Sequence, residues 1–132
     1  MTDKLELDLD SWHARLDPAT FRVTRLGGTE PPFSGALLAE TRRGRYLCAC
    51  CGALLFPSTA KFESHCGWPS FWHEAAEGAI KRLEDTSHGM LRTEVRCACC
   101  DAHLGHVFAD GPPPTGERYC INSLALTFEV DI

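Results

Sequence analysis

The sequence predicts a mostly antiparallel β domain, clamped by one metal, with short helices at its N-terminal end. Three observations predict it. Cys48-Ala49-Cys50-Cys51 recurs as Cys97-Ala98-Cys99-Cys100, so two Cys-x-x-Cys turns offer the four thiolates of a closed tetrahedral zinc site. From Ala36 onward, short strand-forming stretches alternate with turn signals. Ahead of them, Asp17-Pro18 and Gly27-Gly28 bracket a helix-sized segment. With 132 residues and 44% hydrophobic content, the chain suits one domain, an N-terminal helical segment 1–27 followed by a β core 28–130.

The elements follow in order. Ser11 to Leu16 suits a short helical turn. Asp17 is placed to cap a helix whose first residue is Pro18, with Phe21, Val23 and Leu26 on or near its buried side. Gly27-Gly28 ends it, because glycine takes the left-handed conformation at a helix C-terminus without strain. Thr29 to Gly35, with Pro31-Pro32 and Phe33, is too short for a linker and reads as an ordered loop. Arg43-Gly44 suits a hairpin tip feeding Tyr46-Leu47 into the first Cys turn. Ala79 to Leu83 and Leu91 to Val95 suit paired strands around the polar turn Glu84 to Gly89. Pro112-Pro113-Pro114 between Gly111 and Gly116 is a loop. Arg118 to Val130 alternates and is rich in strand formers.

Composition narrows the function. A net charge of −5 without a lysine- or arginine-rich stretch argues against a nucleic-acid partner. No apolar run approaches the ~18 residues of a membrane span. Met1 to Asp10 is acidic and has the pattern of neither a secretory signal nor a mitochondrial presequence. Eight cysteines in that setting point to the cytoplasm, where metal binding or redox chemistry outranks a disulfide framework.

Within the Cys turns, Cys48, Cys51, Cys97 and Cys100 are the expected zinc ligands, since an i, i+3 spacing aims two sulfurs at one point. Cys50 and Cys99 stand beside them, so counting alone leaves the set open. Four thiolates leave no position for water or substrate, which makes the site structural. Cys66 and Cys120 are isolated. In a strand, Arg118, Cys120 and Asn122 would share one face, placing a cation and an amide beside a thiol, and the cation would favour its thiolate. Cys66 lies among Gly67, Trp68, Pro69, Phe71 and Trp72, in a loop with a large aromatic surface. His103 and His106 follow the second Cys turn and suit proton donation, since imidazole titrates near neutrality. A zinc-stabilised binding module would account for the metal thiols and the aromatics, but not for a thiol set beside Arg118 and Asn122 with a second isolated thiol to spare.

Cys66-Gly67-Trp68-Pro69-Ser70-Phe71, Arg96-Cys97 with Cys100, His103-Leu104-Gly105-His106-Val107-Phe108, Asp110-Gly111-Pro112 and Gly116-Glu117-Arg118-Tyr119-Cys120-Ile121-Asn122-Ser123 together resemble the methionine-R-sulfoxide reductases of the B-type, zinc-containing family. The likeness runs from about Gly28 to Phe128, in the family's order. It implies a small barrel-like domain of two antiparallel sheets and the thiol-dependent reduction of methionine-R-sulfoxide, free or in oxidised proteins, with a thioredoxin-type reductant. It implies Cys120 as nucleophile and Cys66 as resolving thiol, through a Cys120 sulfenic acid and a Cys66–Cys120 disulfide. By the same resemblance His103, His106 and Asn122 organise the polar side of the pocket, Arg118 supports the thiolate, and Trp68 and Phe108 bind substrate. His65 stands where the family usually has glycine.

Overall fold

The structure, a computed structural model, describes residues 7–131, so most of the acidic N-terminal stretch lies outside the described residues. Two short helices come first. α1 spans Leu9–Arg15, two residues earlier than Ser11, because the Asp8 carboxylate accepts the Ser11 amide and caps it. α2 spans Pro18–Leu26, with Asp17 accepting from the Thr20 amide and Gly27 closing it at φ +75°. The buried face of α2 is Thr20, Val23 and Thr24. Leu26 points away from that face and is 58% exposed, contrary to the expectation from its hydrophobicity.

Nine strands follow among the described residues, in two antiparallel sheets. β1 (Gly44–Cys48), β2 (Leu54–Pro57) and β9 (Leu126–Val130) form one, in the order β2-β1-β9. β3 (Lys61–Phe62), β4 (Ser70–Phe71), β5 (Ile80–Asp85), β6 (Arg92–Cys97), β7 (His103–Phe108) and β8 (Arg118–Ile121) form the other, in the order β3-β4-β8-β7-β6-β5. The β5–β6 hairpin appears where its turn signals placed it, each strand shifted by one or two residues. Arg43-Gly44 is not a hairpin tip. The segment before it turns without forming a strand, and β1 pairs instead with β2 and β9. A side chain at Gly44 would meet the Glu129 carbonyl, so glycine is there for close strand approach.

Arg118 to Val130 is two strands in different sheets. After Ile121 the Asn122 amide donates to the Leu104 carbonyl, and a 3-10 turn over Ser123–Ala125 carries the chain across. Alternation hid this break, because both halves alternate. The sheets are held together by aromatic rings: Phe56 of β2 stacks on Phe71 of β4 at 4.3 Å, and Tyr46 and Tyr119 pack edge-on around them. All four are fully buried, each contributing on the order of 2 kcal/mol of apolar burial.

Candidate active site and metal centre

Strand register builds the site. Residues directly opposite one another across antiparallel neighbours project from the same face. Glu94 of β6 lies opposite His106 of β7, His106 opposite Cys120 of β8, and Cys120 opposite Ser70 of β4. A carboxylate, an imidazole, a thiol and a hydroxyl thus stand in one row across the sheet. Gly105 permits the approach of β7 to β8, since a side chain there would strike the Cys120 carbonyl.

Cys66 comes to this row from the β3–β4 loop, its sulfur 3.5 Å from that of Cys120. His65 and Gly67 on either side have φ +62° and +98°. The left-handed conformation at His65 explains why glycine suits that position; here the imidazole points outward and the backbone bears the strain. Phe33 donates its amide to the Gly67 carbonyl at 2.7 Å and covers the loop.

A cavity of about 100 Å³ opens on Cys120 but not on Cys66, with Trp68, Phe108, His106, Asn122 and Arg92 among its walls. The Glu30 backbone orients two of them: its carbonyl accepts from Trp68 Nε1 at 3.1 Å, and its amide donates to Asn122 Oδ1 at 2.9 Å. Asn122 Nδ2 donates to the Leu104 carbonyl. Arg118 grips Asp110 at 2.9 Å and lies 4.6 Å from the centre of the Phe108 ring. His103 does not line this cavity. Its Nδ1 is 2.6 Å from Glu94, and its ring stands edge-on behind His106 at 5.7 Å.

The two thiols differ electrostatically. Burial disfavours a Cys66 thiolate, yet hydrogen bonds from Ser64 and Ser70 outweigh it and bring the group down to about 7. Cys120 is pushed up to about 12, by burial first and by the adjacent Cys66 charge second; Arg118 offsets this only in part. Arg118 acts in the expected direction on the Cys120 thiolate, and its guanidinium is also engaged with Asp110. A charge on Cys66 disfavours a second one on Cys120.

Three further groups escaped the sequence reading. Asp85, at the end of β5, is 2.7 Å from His106 Nε2, and Arg92 is 3.4 Å from the same Asp85 oxygen. Glu94 fixes His103. Burial lowers the His106 pKa, and the Asp85 hydrogen bond works against that fall. No local motif announces these residues; only the β5–β6 and β6–β7 registers do. With Nε2 committed to Asp85, Nδ1 is the nitrogen left to serve the cavity. Asp85→Asn should lower the His106 pKa further. An NMR titration should place the His106 midpoint of the variant on the order of one unit lower. Superimposable titration curves for the two proteins would contradict this.

The metal centre lies at the other ends of β1 and β6. The turns are structural copies. In each, the first cysteine's amide donates to an alanine carbonyl five residues on, Cys48 to Ala53 at 2.8 Å and Cys97 to Ala102 at 3.0 Å. In each, the residue after the last cysteine, Gly52 or Asp101, has a positive φ and returns its amide to the first. Aspartate is among the few residues that tolerate this conformation. Cys48, Cys51, Cys97 and Cys100 offer sulfurs all within 4.8 Å of one another, and Cys48–Cys100 and Cys51–Cys97 are each 3.6 Å apart. Tetrahedral bonds of ~2.3 Å to zinc need sulfurs ~3.8 Å apart, so the four fit a metal ion. Arg25 of α2 donates to the Cys100 carbonyl at 2.8 Å, with its guanidinium 4.5 Å over the Trp12 ring, which fastens both helices to the second turn.

Two thiols in contact, one at a lined cavity and one behind it on a loop, suit an oxidoreductase. A SelR domain matches residues 16–130, and the chain belongs to that family. It is 61% identical over 123 residues to the peptide methionine sulfoxide reductase MsrB of Pseudomonas entomophila (strain L48), covering 93% of this chain and 94% of the relative. To the enzymes of the same name from Pseudomonas putida (strain W619) and Pseudomonas fluorescens (strain Pf0-1) it is 57% and 58% identical, covering 96% and 94% of this chain and 95% of each relative.

Proposed function

We propose that this enzyme reduces methionine-R-sulfoxide, in oxidised proteins or peptides and as the free amino acid, to methionine in the cytoplasm. The observation that carries the reading is the placement of Cys120 between cavity and partner thiol: sulfur open to a substrate on one side, and 3.5 Å from Cys66 on the other. The relatives' shared name supports the substrate class.

Sulfoxide sulfur is a poor electrophile until its oxygen is protonated or strongly hydrogen-bonded. The substrate methyl and sulfur pack against Trp68 and Phe108, where sulfur–aromatic contact is favourable. The oxygen faces His106, whose protonated form supplies the proton; His103, Glu94 and Asp85 keep that ring in place. Cys120 attacks as its own proton passes to the neighbouring Cys66 thiolate. Arg118 supports the charge, and Asn122 closes the polar side. Oxygen passes to Cys120, two electrons pass to the substrate, and methionine leaves a Cys120 sulfenic acid. Cys66 then displaces the oxygen and forms the Cys66–Cys120 disulfide, which a thioredoxin-type dithiol reduces by exchange. Cys48, Cys51, Cys97 and Cys100 hold one zinc ion, which cross-links the two sheets and takes no part in the redox step.

A methyl in the aromatic wall and an oxygen toward His106 leave one hand of the substrate with its sulfur open to Cys120. With racemic methionine sulfoxide and dithiothreitol, chiral chromatography should show the R epimer consumed and the S epimer nearly untouched. Equal loss of both would rule out this pocket.

A further inference from the structure

The hydroxyls around Cys66 have no place in the steps above. Ser64 Oγ lies 3.0 Å from Cys66 Sγ and 2.6 Å from Ser70 Oγ, and Ser70 Oγ is itself 3.4 Å from the same sulfur. Ser70 is buried, fixed by the β4–β8 register opposite Cys120, and is placed to donate to the Trp68 carbonyl at 3.2 Å as well as to Ser64. The Cys66 amide faces Ser64 Oγ at 3.4 Å, which holds the loop turned toward the hydroxyl. Each hydroxyl has one proton to give. When Ser70 donates to Ser64 rather than to the Trp68 carbonyl, the Ser64 proton is directed at the Cys66 sulfur, and a hydrogen bond to an anionic acceptor is stronger than one to a neutral acceptor.

We propose that Ser64 and Ser70 form a hydroxyl relay that holds Cys66 as the attacking thiolate of the resolving step, which makes both serines positioning residues for disulfide formation. The proposal rests on the reading of Cys66 as resolving thiol. From β8, Cys120 and Arg118 face the Cys66 sulfur; Glu63 and His65 on its own loop turn outward into solvent. Arg118 is a cation facing it, and it is shared with Asp110 and Cys120. The relay is thus the larger local support for a Cys66 anion, consistent with the direction of its pKa. In the step itself, the Cys66–Cys120 S–S bond forms as the S–O bond of the sulfenic acid breaks. The oxygen departs with that bonding pair and with the proton Cys66 has released, as water. Cys66 is oxidised and the Cys120 sulfur reduced, one electron equivalent each.

The experiment is single turnover of the full-length zinc-bound chain with methionine-R-sulfoxide, following methionine release and disulfide formation separately by acid quench and thiol counting. In Ser64→Ala, the ratio of the disulfide rate to the methionine-release rate at pH 7 should fall about twofold. A one-unit rise from about 7 cuts the thiolate fraction about fivefold, and the greater nucleophilicity of the more basic sulfur recovers about threefold of that. At pH 9 the ratio should return to wild type, and Ser64→Thr should restore it at pH 7. Independently of turnover, the pH midpoint of Cys66 alkylation in a Cys120→Ser background should rise by about one unit on adding Ser64→Ala. An unchanged ratio, an unchanged midpoint, or a slowing that persists equally at pH 9 would overturn the relay. If Cys66→Ser still oxidises Cys120 to an intramolecular disulfide, the assignment of the resolving thiol fails instead. If wild type forms no methionine, the activity itself fails.

Discussion

Cys120→Ser should form no methionine from methionine-R-sulfoxide, a loss of several orders of magnitude, because no other thiol among the described residues borders the cavity. Cys66→Ser should behave differently. Attack and departure precede resolution, so it should form one methionine per chain and then stall with thioredoxin as reductant, carrying a sulfenic acid on Cys120 that dimedone labels. Closing the disulfide requires the sulfurs to move from 3.5 Å to about 2.0 Å, a small shift for a loop residue next to Gly67. Cys50 and Cys99 sit in the metal-binding turns. A Cys66→Ser enzyme that turns over continuously with thioredoxin would reassign the resolving role to one of them.

Loss of the metal should have the largest effect on stability. Replacing Cys48 or Cys100 with serine should release about one zinc per chain. It should also lower the melting temperature by on the order of 20 °C or abolish a cooperative transition, since structural zinc contributes an apparent ~10–16 kcal/mol in small peptides. The two turns lie in different sheets, one between β1 and β2 and the other between β6 and β7, and the aromatic core and the helices link these sheets as well. Fresh protein without zinc, or a fully stable Cys100→Ser chain, would contradict the structural role. Cys50 and Cys99 are absent from the cluster of four converging sulfurs.

Much of this was legible in the sequence because the chemistry is carried by short contiguous motifs. The Asp17 cap, the Gly27 stop and the two Cys-x-x-Cys turns are decided by residues next to one another, and each took its expected form. The face shared by Arg118 and Cys120 followed from strand alternation alone. What escaped depends on contacts between distant segments. Asp85 reaches His106 across two strands, Glu94 reaches His103 around the β6–β7 irregularity, and Glu30 shapes the cavity through its backbone, which no side-chain pattern records. The lowered Cys66 and raised Cys120 could not be read from Arg118 alone, because its charge is shared with Asp110 on a separate loop. Leu26, expected on or near the buried side of α2, is exposed because its angular position lies off the face made by Thr20, Val23 and Thr24.

The central claim is that Cys120 takes the oxygen and Cys66 takes the place of that oxygen. Mass spectrometric mapping of the wild-type chain after one equivalent of methionine-R-sulfoxide, with no reductant present, tests it most directly. The account predicts one methionine released per chain, a loss of two hydrogens from the protein, and a single disulfide joining Cys66 to Cys120 with the four metal-binding thiols unmodified. A disulfide from Cys120 to Cys50 or Cys99, or methionine formed with both Cys66 and Cys120 still as free thiols, would contradict it.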